Sequence, residues 1–291
     1  MSVNNHFKHL LAIALTLGIS AHALEKNNCI PDNQWFVPKT GGLYSFQDYL
    51  AHIPSQGIVL LGEHHENSAH HRWQLAMLTA LHKKQPQMAI GLEMFPRYLQ
   101  NVLDDWINNK ISKADFLRQT QWDKIWAYNF NDYLPLLNFA RDKQIPLIAI
   151  NIQKSLLKMA REVGWKNIPD NHRQGITNPA TPSKHYLRQL AVSFRRHFEP
   201  SVKIDKQAFS RFVEQQLLWD RAMAQGLASK KTAFPLIVGI LGSWHIINGF
   251  GVPHQLKDLG QSDIVAYVPW DEHLDCSRIS DQFSDAIFGS P

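Results

Sequence analysis

Five short apolar runs recur along the chain, and the stretches between them carry apolar residues at helical spacing. The runs are residues 57–62, 88–95, 145–151, 234–242 and 262–269. Strands that are this uniformly apolar are typical of a sheet buried on both faces, which requires parallel strands with helical crossovers. Helices are predicted at 68–84, 96–108 and 207–228. We therefore predict an α/β fold with a mostly parallel central sheet flanked by helices.

The middle of the chain departs from this alternation. Residues 164–186 are rich in Pro, Gly, Asn and Ser, which favours a long surface loop. Helical patterns surround that loop, so we predict a helical insertion or elaboration at about 95–145 and 165–230. The prediction is a single domain over residues 24–291.

Polar residues follow the predicted strands directly. Glu63 closes the first run, Glu93 the second, Asn151 the third, and His245 follows the fourth within "LGSWH". Ligands of open parallel sheets bind beyond the carboxyl ends of the strands, so these side chains predict a cleft. The alternative is that each one only bonds backbone amides at the sheet edge.

The segment "GEHHENSAHH" at 62–71 contains four histidines and two glutamates. Neighbouring residues on a strand point in opposite directions, so only one of His64 and His65 can face the cleft. We expect it to be His64. The others, His65, Glu66, His70 and His71, are expected in a solvated turn and helix start. Asp220, on the apolar stripe of the 207–228 helix, is either an internal salt-bridge partner or part of the site.

Three kinds of chemistry fit these residues. A divalent metal is one, although the chain has no H-E-x-x-H motif and no pair of neighbouring cysteines. Acid–base hydrolysis by Glu63, His64, Glu93 and His245 is the second, and no G-x-S-x-G motif adds a serine nucleophile. The third is a flat cofactor such as haem against the aromatic segment 122–137, which otherwise is ordinary core.

The ends and the charge of the chain bear on its location. Lys8, the apolar run "LLAIALTLGIS" and "AHA" at 21–23 predict a signal peptide over residues 1–23, cleaved near Ala23. Export to an oxidising compartment would permit a disulfide between Cys29 and Cys276, although two free thiols fit the sequence equally well. The net charge of +5 is dispersed along the chain, so we do not expect nucleic acid as a partner.

Several motifs together resemble the ChaN-like haem-binding uptake family, whose relatives include the erythromycin esterases and the TraB and Tiki proteins. They are "VLLGEHHENSAHHRWQLAML", "IGLEMFPRYLQ", "WDKIWAYNFNDYLPLLNFAR", "PLIAIN", "EQQLLWDRAMA" and "GSWHIINGFGVPHQL", in this order from about residue 42 to 270.

The resemblance implies a periplasmic protein that binds haem (iron protoporphyrin IX) in support of haem or iron uptake, more in keeping with binding than with catalysis. It further implies a homodimer around two stacked haems and partnership with an outer-membrane haem receptor system, with peripheral membrane association left open. Tyrosine would ligate the iron, with Tyr133, Tyr128 and Tyr98 as candidates. His64 and His245 are the other expected cofactor-binding residues.

Overall fold

The computed structural model describes residues 29–195, 205–270 and 275–290. The predicted signal peptide lies outside these residues. Within them the strands are β1 Gln34–Val37, β2 Gly42–Ser45, β3 Gly57–Glu63, β4 Met88–Pro96, β5 Leu147–Asn151, β6 Leu236–Gly242, β7 Ile264–Trp270 and β8 Ala286–Gly289. The helices are α1 Phe46–Tyr49, α2 Ser68–Lys84, α3 Gln100–Ile107, α4 Lys113–Thr120, α5 Trp122–Ile125, α6 Phe130–Asp142, α7 Lys154–Val163, α8 Lys184–Arg195, α9 Lys206–Ala228 and α10 Val252–Asp258.

The strands form one sheet in the order β2-β1-β8-β7-β3-β6-β4-β5. From β8 to β5 all neighbours are parallel, whereas β1 runs antiparallel to β2 and β8. The predicted mostly parallel α/β sheet is therefore confirmed. All five predicted strands form, each within two residues of its expected start.

The central strands are buried on both faces because their side chains alternate between two apolar layers. Val59 and Leu61 of β3 join the cluster beneath α2, α3 and α6. Ile58 and Leu60, on the opposite face of the same strand, join the cluster with α9 and α10. This two-sided packing fixes where β3, β4, β5 and β6 end, and so fixes the edge at which the polar residues emerge.

Local signals set the beginnings of the two longest helices. The Asn67 side chain accepts a hydrogen bond from the backbone N–H of Ala69 at the start of α2. The Asp205 carboxylate does the same for Gln207 and Ala208 at the start of α9. Such caps satisfy N–H groups that have no partner within the helix.

The predicted loop at 164–186 is irregular with short 3-10 turns, but it is anchored. Trp165, Ile168 and Ile176 are buried among residues of α7 and α9. Cys29 and Cys276 form a disulfide with their Cα atoms 5.5 Å apart, which joins the two ends of the described chain. None of the described helices combines the length and apolarity needed to cross a bilayer.

Candidate functional site

The carboxyl ends of β3, β4 and β6 bring two buried carboxylates together. Glu63 lies opposite Gly242 in the parallel register of β3 and β6, and Glu93 lies near the end of β4. Their side chains are 2% and 1% exposed. A carboxylate buried to this degree requires hydrogen-bonding partners, because its desolvation is otherwise too costly.

The first set of partners forms what we call the Glu63 network: Glu63, His65, His71 and Tyr133. Glu63 Oε1 accepts a hydrogen bond of 2.7 Å from the Tyr133 hydroxyl and lies 2.7 Å from His65 Nδ1. Glu63 Oε2 lies 3.3 Å from His71 Nε2. Burial alone would raise the pKa of Glu63, but the two histidines outweigh it and lower that pKa below its usual range. The carboxylate is therefore ionised at neutral pH.

The second set forms the His245 network: Glu93, Asp220, Tyr186 and His245. His245 Nδ1 lies 2.6 Å from Asp220 Oδ1, and its Nε2 lies 3.5 Å from Glu93 Oε1. The Tyr186 hydroxyl donates to the other Asp220 oxygen at 2.6 Å. Burial lowers the pKa of His245, but Glu93 and Asp220 reverse this and raise it to about 9. His245 is thus an imidazolium held between two carboxylates at neutral pH.

The two networks converge on Gly242. Its backbone N–H donates to Glu93 Oε2 at 2.6 Å, and a Cβ at this position would lie 3.0 Å from His65 Cε1. Glycine therefore leaves the space that His65 occupies. Burial lowers the pKa of His65, whereas its hydrogen bond to Glu63 and the charges of Glu93 and Glu63 raise it, and the net shift is upward.

A cleft of about 220 Å³ opens beside His65. The His65 ring lies 4.6 Å from the Trp126 ring and 5.0 Å from the Tyr128 ring, centroid to centroid. On the other wall Trp219 lies 5.2 Å from the His245 ring. The remaining lining residues are Met94, Pro96, Ile125, Asn151, Ile152, Lys154 and Leu157. The lining is therefore largely aromatic and apolar, with His65 of the Glu63 network in the wall and the His245 network reached through Trp219.

Asn151 lines this cleft but bonds the backbone. Its side-chain amide donates to the carbonyl of Glu93 at 2.7 Å, and its side-chain oxygen accepts from the backbone N–H of Ile152 at 2.8 Å. It thereby ties the end of β5 to the end of β4. Its role in the structure is to position Glu93.

The expectation that His64 accompanies Glu63 is wrong, because His65 does so. Side chains at i and i+2 share one side of an extended chain, so Glu63 and His65 point the same way. The ring of His64 packs instead on that of His70, 5.4 Å away.

The expectation of solvated histidines at the start of α2 is also wrong. His70 and His71 are 0% and 2% exposed. His70 accepts from the backbone N–H of His64, and His71 reaches Glu63. The available signal was that His70 shares the helical face of Trp73 and Met77, both of which are buried.

The candidate tyrosines occupy three different environments. Tyr133 is 1% exposed and its hydroxyl is bonded to Glu63. Tyr128 is half-buried in the cleft wall, and Tyr98 is 55% exposed. Asp220 proves to be part of the site, whereas Tyr186 belongs to it without any signal in its local sequence.

In the described residues no three His, Cys, Asp or Glu side chains are grouped so that they could hold a metal ion.

Comparisons with known proteins add a family to this geometry. The model of the haem-binding uptake family, Tiki superfamily, ChaN, matches residues 49–256. A solved structure described as cofacial heme binding to ChaN of Campylobacter jejuni is 20% identical with a TM-score of 0.69, and the match covers 89% of this chain and 98% of that one. No curated protein matches.

Two other solved structures are more distant. A mutant of the erythromycin esterase EreC in its open conformation is 13% identical with a TM-score of 0.46, covering 81% of this chain and 76% of that one. A protein from Bacillus cereus is 13% identical with a TM-score of 0.45, covering 78% and 69% respectively.

Proposed function

Because this chain belongs to the haem-binding uptake family of the Tiki superfamily, ChaN, we propose that it binds haem in the aromatic cleft beside His65. The observation that carries the proposal is the family match, which spans the strands and helices that build the cleft. The protein would act in haem or iron uptake rather than in catalysis.

The residues of the cleft fit this ligand. Haem is a flat apolar ring with two carboxylates, and its iron accepts oxygen or nitrogen ligands. Trp126 and Trp219 offer aromatic surface in the lining of the cleft, and Met94 and Ile152 add apolar surface. Haem would supply the spectral and redox properties of iron, while the chain supplies the walls and a ligand.

Tyr128 is the tyrosine best placed to bind the iron. Tyr133 would have to leave Glu63, which would remove a hydrogen bond from a buried carboxylate. His245 is bonded to Asp220 through one ring nitrogen and faces Glu93 with the other. Tyr128 is half-buried at the cleft wall with no partner of this kind among the described residues, and burial and nearby Glu66 raise its pKa.

A homodimer is part of the proposal. Pockets that enclose small molecules usually measure about 300–1,000 Å³. The cleft of about 220 Å³ is smaller, so one face of a porphyrin would stay exposed. A second copy of the chain with its own haem would cover that face, and the cofacial heme binding of ChaN of Campylobacter jejuni supports two haems lying face to face. The predicted signal peptide and the Cys29–Cys276 disulfide both fit a periplasmic location.

Hemin titration of residues 24–291 tests the proposal. We expect a saturable change in the Soret band and a mass that doubles with ligand. Tyr128→Phe should shift the band and weaken binding by tenfold or more, whereas Tyr98→Phe is the matched control. A wild-type protein without a saturable change would refute haem binding. If the Soret band shifted in Tyr98→Phe and not in Tyr128→Phe, Tyr98 would be the iron ligand instead.

The His245 network supports a second candidate, hydrolysis by acid–base catalysis. A histidine between two buried carboxylates can hold and transfer a proton beside a cleft. The sequence pointed to Glu63, His64, Glu93 and His245, and the geometry replaces His64 with His65. A screen of ester and peptide substrates tests this candidate, with and without added divalent metal. Equal activity in wild type and His245→Ala would eliminate it.

A further inference from the structure

Lys154 is a lining residue of the aromatic cleft that carries a positive charge, and it is exposed to solvent. It is the first residue of α7, and its ammonium donates to the carbonyl of Lys124 in α5 at 2.9 Å. Lys154 and Ile125 both line the cleft, so this hydrogen bond joins two of the helices that border it, α7 and α5. The Lys154 ammonium is therefore held at the exposed rim of the cleft, next to α5.

Within the described parts of the chain, no acidic side chain balances the charge of Lys154. Its ammonium has three donors, and the Lys124 carbonyl uses one of them. Among the residues that the structure describes, no carboxylate forms an ion pair with Lys154. The two buried carboxylates, Glu63 and Glu93, are bonded within their own networks. Among the described residues, Lys154 is thus a cation without an acidic partner that lines a largely apolar, aromatic cleft.

This arrangement favours a ligand with a flat apolar body and an anionic edge. We propose that Lys154 binds a carboxylate of such a ligand and so orients it, with the carboxylate edge at the rim between α5 and α7. The inference rests on the proposed function, in which the ligand is haem and the carboxylate is a propionate. It adds a specificity determinant: the free acid should bind in preference to its ester.

The experiment compares hemin with hemin dimethyl ester, which lacks the two carboxylate charges but retains the ring and the iron. Both are titrated into wild type, Lys154→Gln and Lys154→Arg, with Lys158→Gln as control. Lys158 lies one turn further along α7, with an ion pair to Glu162 at 3.8 Å and 66% of its side chain exposed. The control therefore removes the same charge from the same helix, away from the cleft.

We expect wild type to prefer hemin over its diester by about two- to fivefold, the range for an ion pair at an exposed position. Lys154→Gln should lose that preference by binding hemin more weakly while its affinity for the diester stays unchanged. Lys154→Arg and Lys158→Gln should keep it. Rising salt should reduce the preference in wild type and have little effect in Lys154→Gln.

Two results overturn the inference while leaving haem binding intact. One is an unchanged preference in Lys154→Gln. The other is an equal loss in the Lys154→Gln and Lys158→Gln variants, which would indicate a general effect of surface charge. Failure of wild type to bind either compound refutes the proposed function as well, so the two failures are distinguishable.

Discussion

The substitution Asp220→Asn tests how firmly the His245 network is held together. Asp220 is fully buried and accepts two hydrogen bonds of 2.6 Å, one from His245 and one from Tyr186. An asparagine offers only one acceptor oxygen, so either His245 or Tyr186 loses its hydrogen bond. Glu93 is then the one remaining negative charge beside the His245 imidazolium. Breaking a buried pair costs about 3–5 kcal/mol. We expect about 3 kcal/mol, the lower end of that range, because His245 can release its proton instead of staying charged.

Urea unfolding and thermal melts measure this loss. A domain of this size loses about 2–4 °C of melting temperature per kcal/mol, so the midpoint should fall by about 6–12 °C. Asp115→Asn is the control, since Asp115 is an exposed acid paired with Arg118, and it should leave the midpoint nearly unchanged. Equal losses in the two variants would refute the reasoning.

The pH dependence provides a second test of the same network. The pKa of His245 is raised to about 9 in the folded protein, against about 6.5 in the unfolded chain. Because the folded protein binds this proton more tightly than the unfolded chain does, protonated His245 stabilises the fold. Its contribution is complete below pH 6.5 and is lost as the pH rises through 9. The free energy of unfolding should therefore fall across this window in wild type. In Asp220→Asn the decline should be smaller and end at lower pH.

Three further predictions concern the disulfide, a helix contact and the Glu63 network. Replacing Cys29 and Cys276 with serine should cost about 2–4 kcal/mol in urea unfolding, and reductant should give wild type the same midpoint. Gly226→Ala should destabilise in thermal melts, because a Cβ would lie 2.9 Å from Ile150 and overpacking of about 1–3 kcal/mol exceeds the helical gain of about 1 kcal/mol. The pKa of Glu63 is lower in the folded protein than its value of about 4.3 in the unfolded chain, so ionised Glu63 stabilises the fold above about pH 4.3. As pH falls below about 4.3, the free energy of unfolding should decrease in wild type and decrease less in Glu63→Gln.

The sequence predicts the five strands β3 to β7 because each of them lies in a continuous apolar run. The edge is different: β1, β2 and β8 have four residues each, with no such run. Trp35 of β1 pairs with Phe288 of β8, more than two hundred residues away. Pairing between such short segments depends on contacts that only the folded core provides, and no local pattern predicts it.

The sequence pattern predicts Glu63, Glu93 and His245, but it misses His65 and His71, the histidines that contact Glu63. Glu63 and Glu93 are detectable because a charge directly after an apolar run has no place in a plain strand. The choice of His64 failed, although alternation along the chain puts Glu63 and His65 on one side. Tyr186 reaches Asp220 only through the packing of α8 on α9, a tertiary contact that the sequence does not encode locally.

The two networks make binding and chemistry separable by experiment, because they lie beside one cleft and have no residue in common. His65 belongs to the Glu63 network and lines the cleft, whereas Asp220 and Tyr186 act only through His245. A binding protein needs the histidines as fixed walls, and a neutral residue of similar size would serve that purpose. A hydrolase needs the proton on His245, which no neutral residue supplies. His245→Gln should therefore leave hemin affinity within a few fold if the protein only binds, and a hydrolytic activity lost in the same variant would establish that the networks perform chemistry.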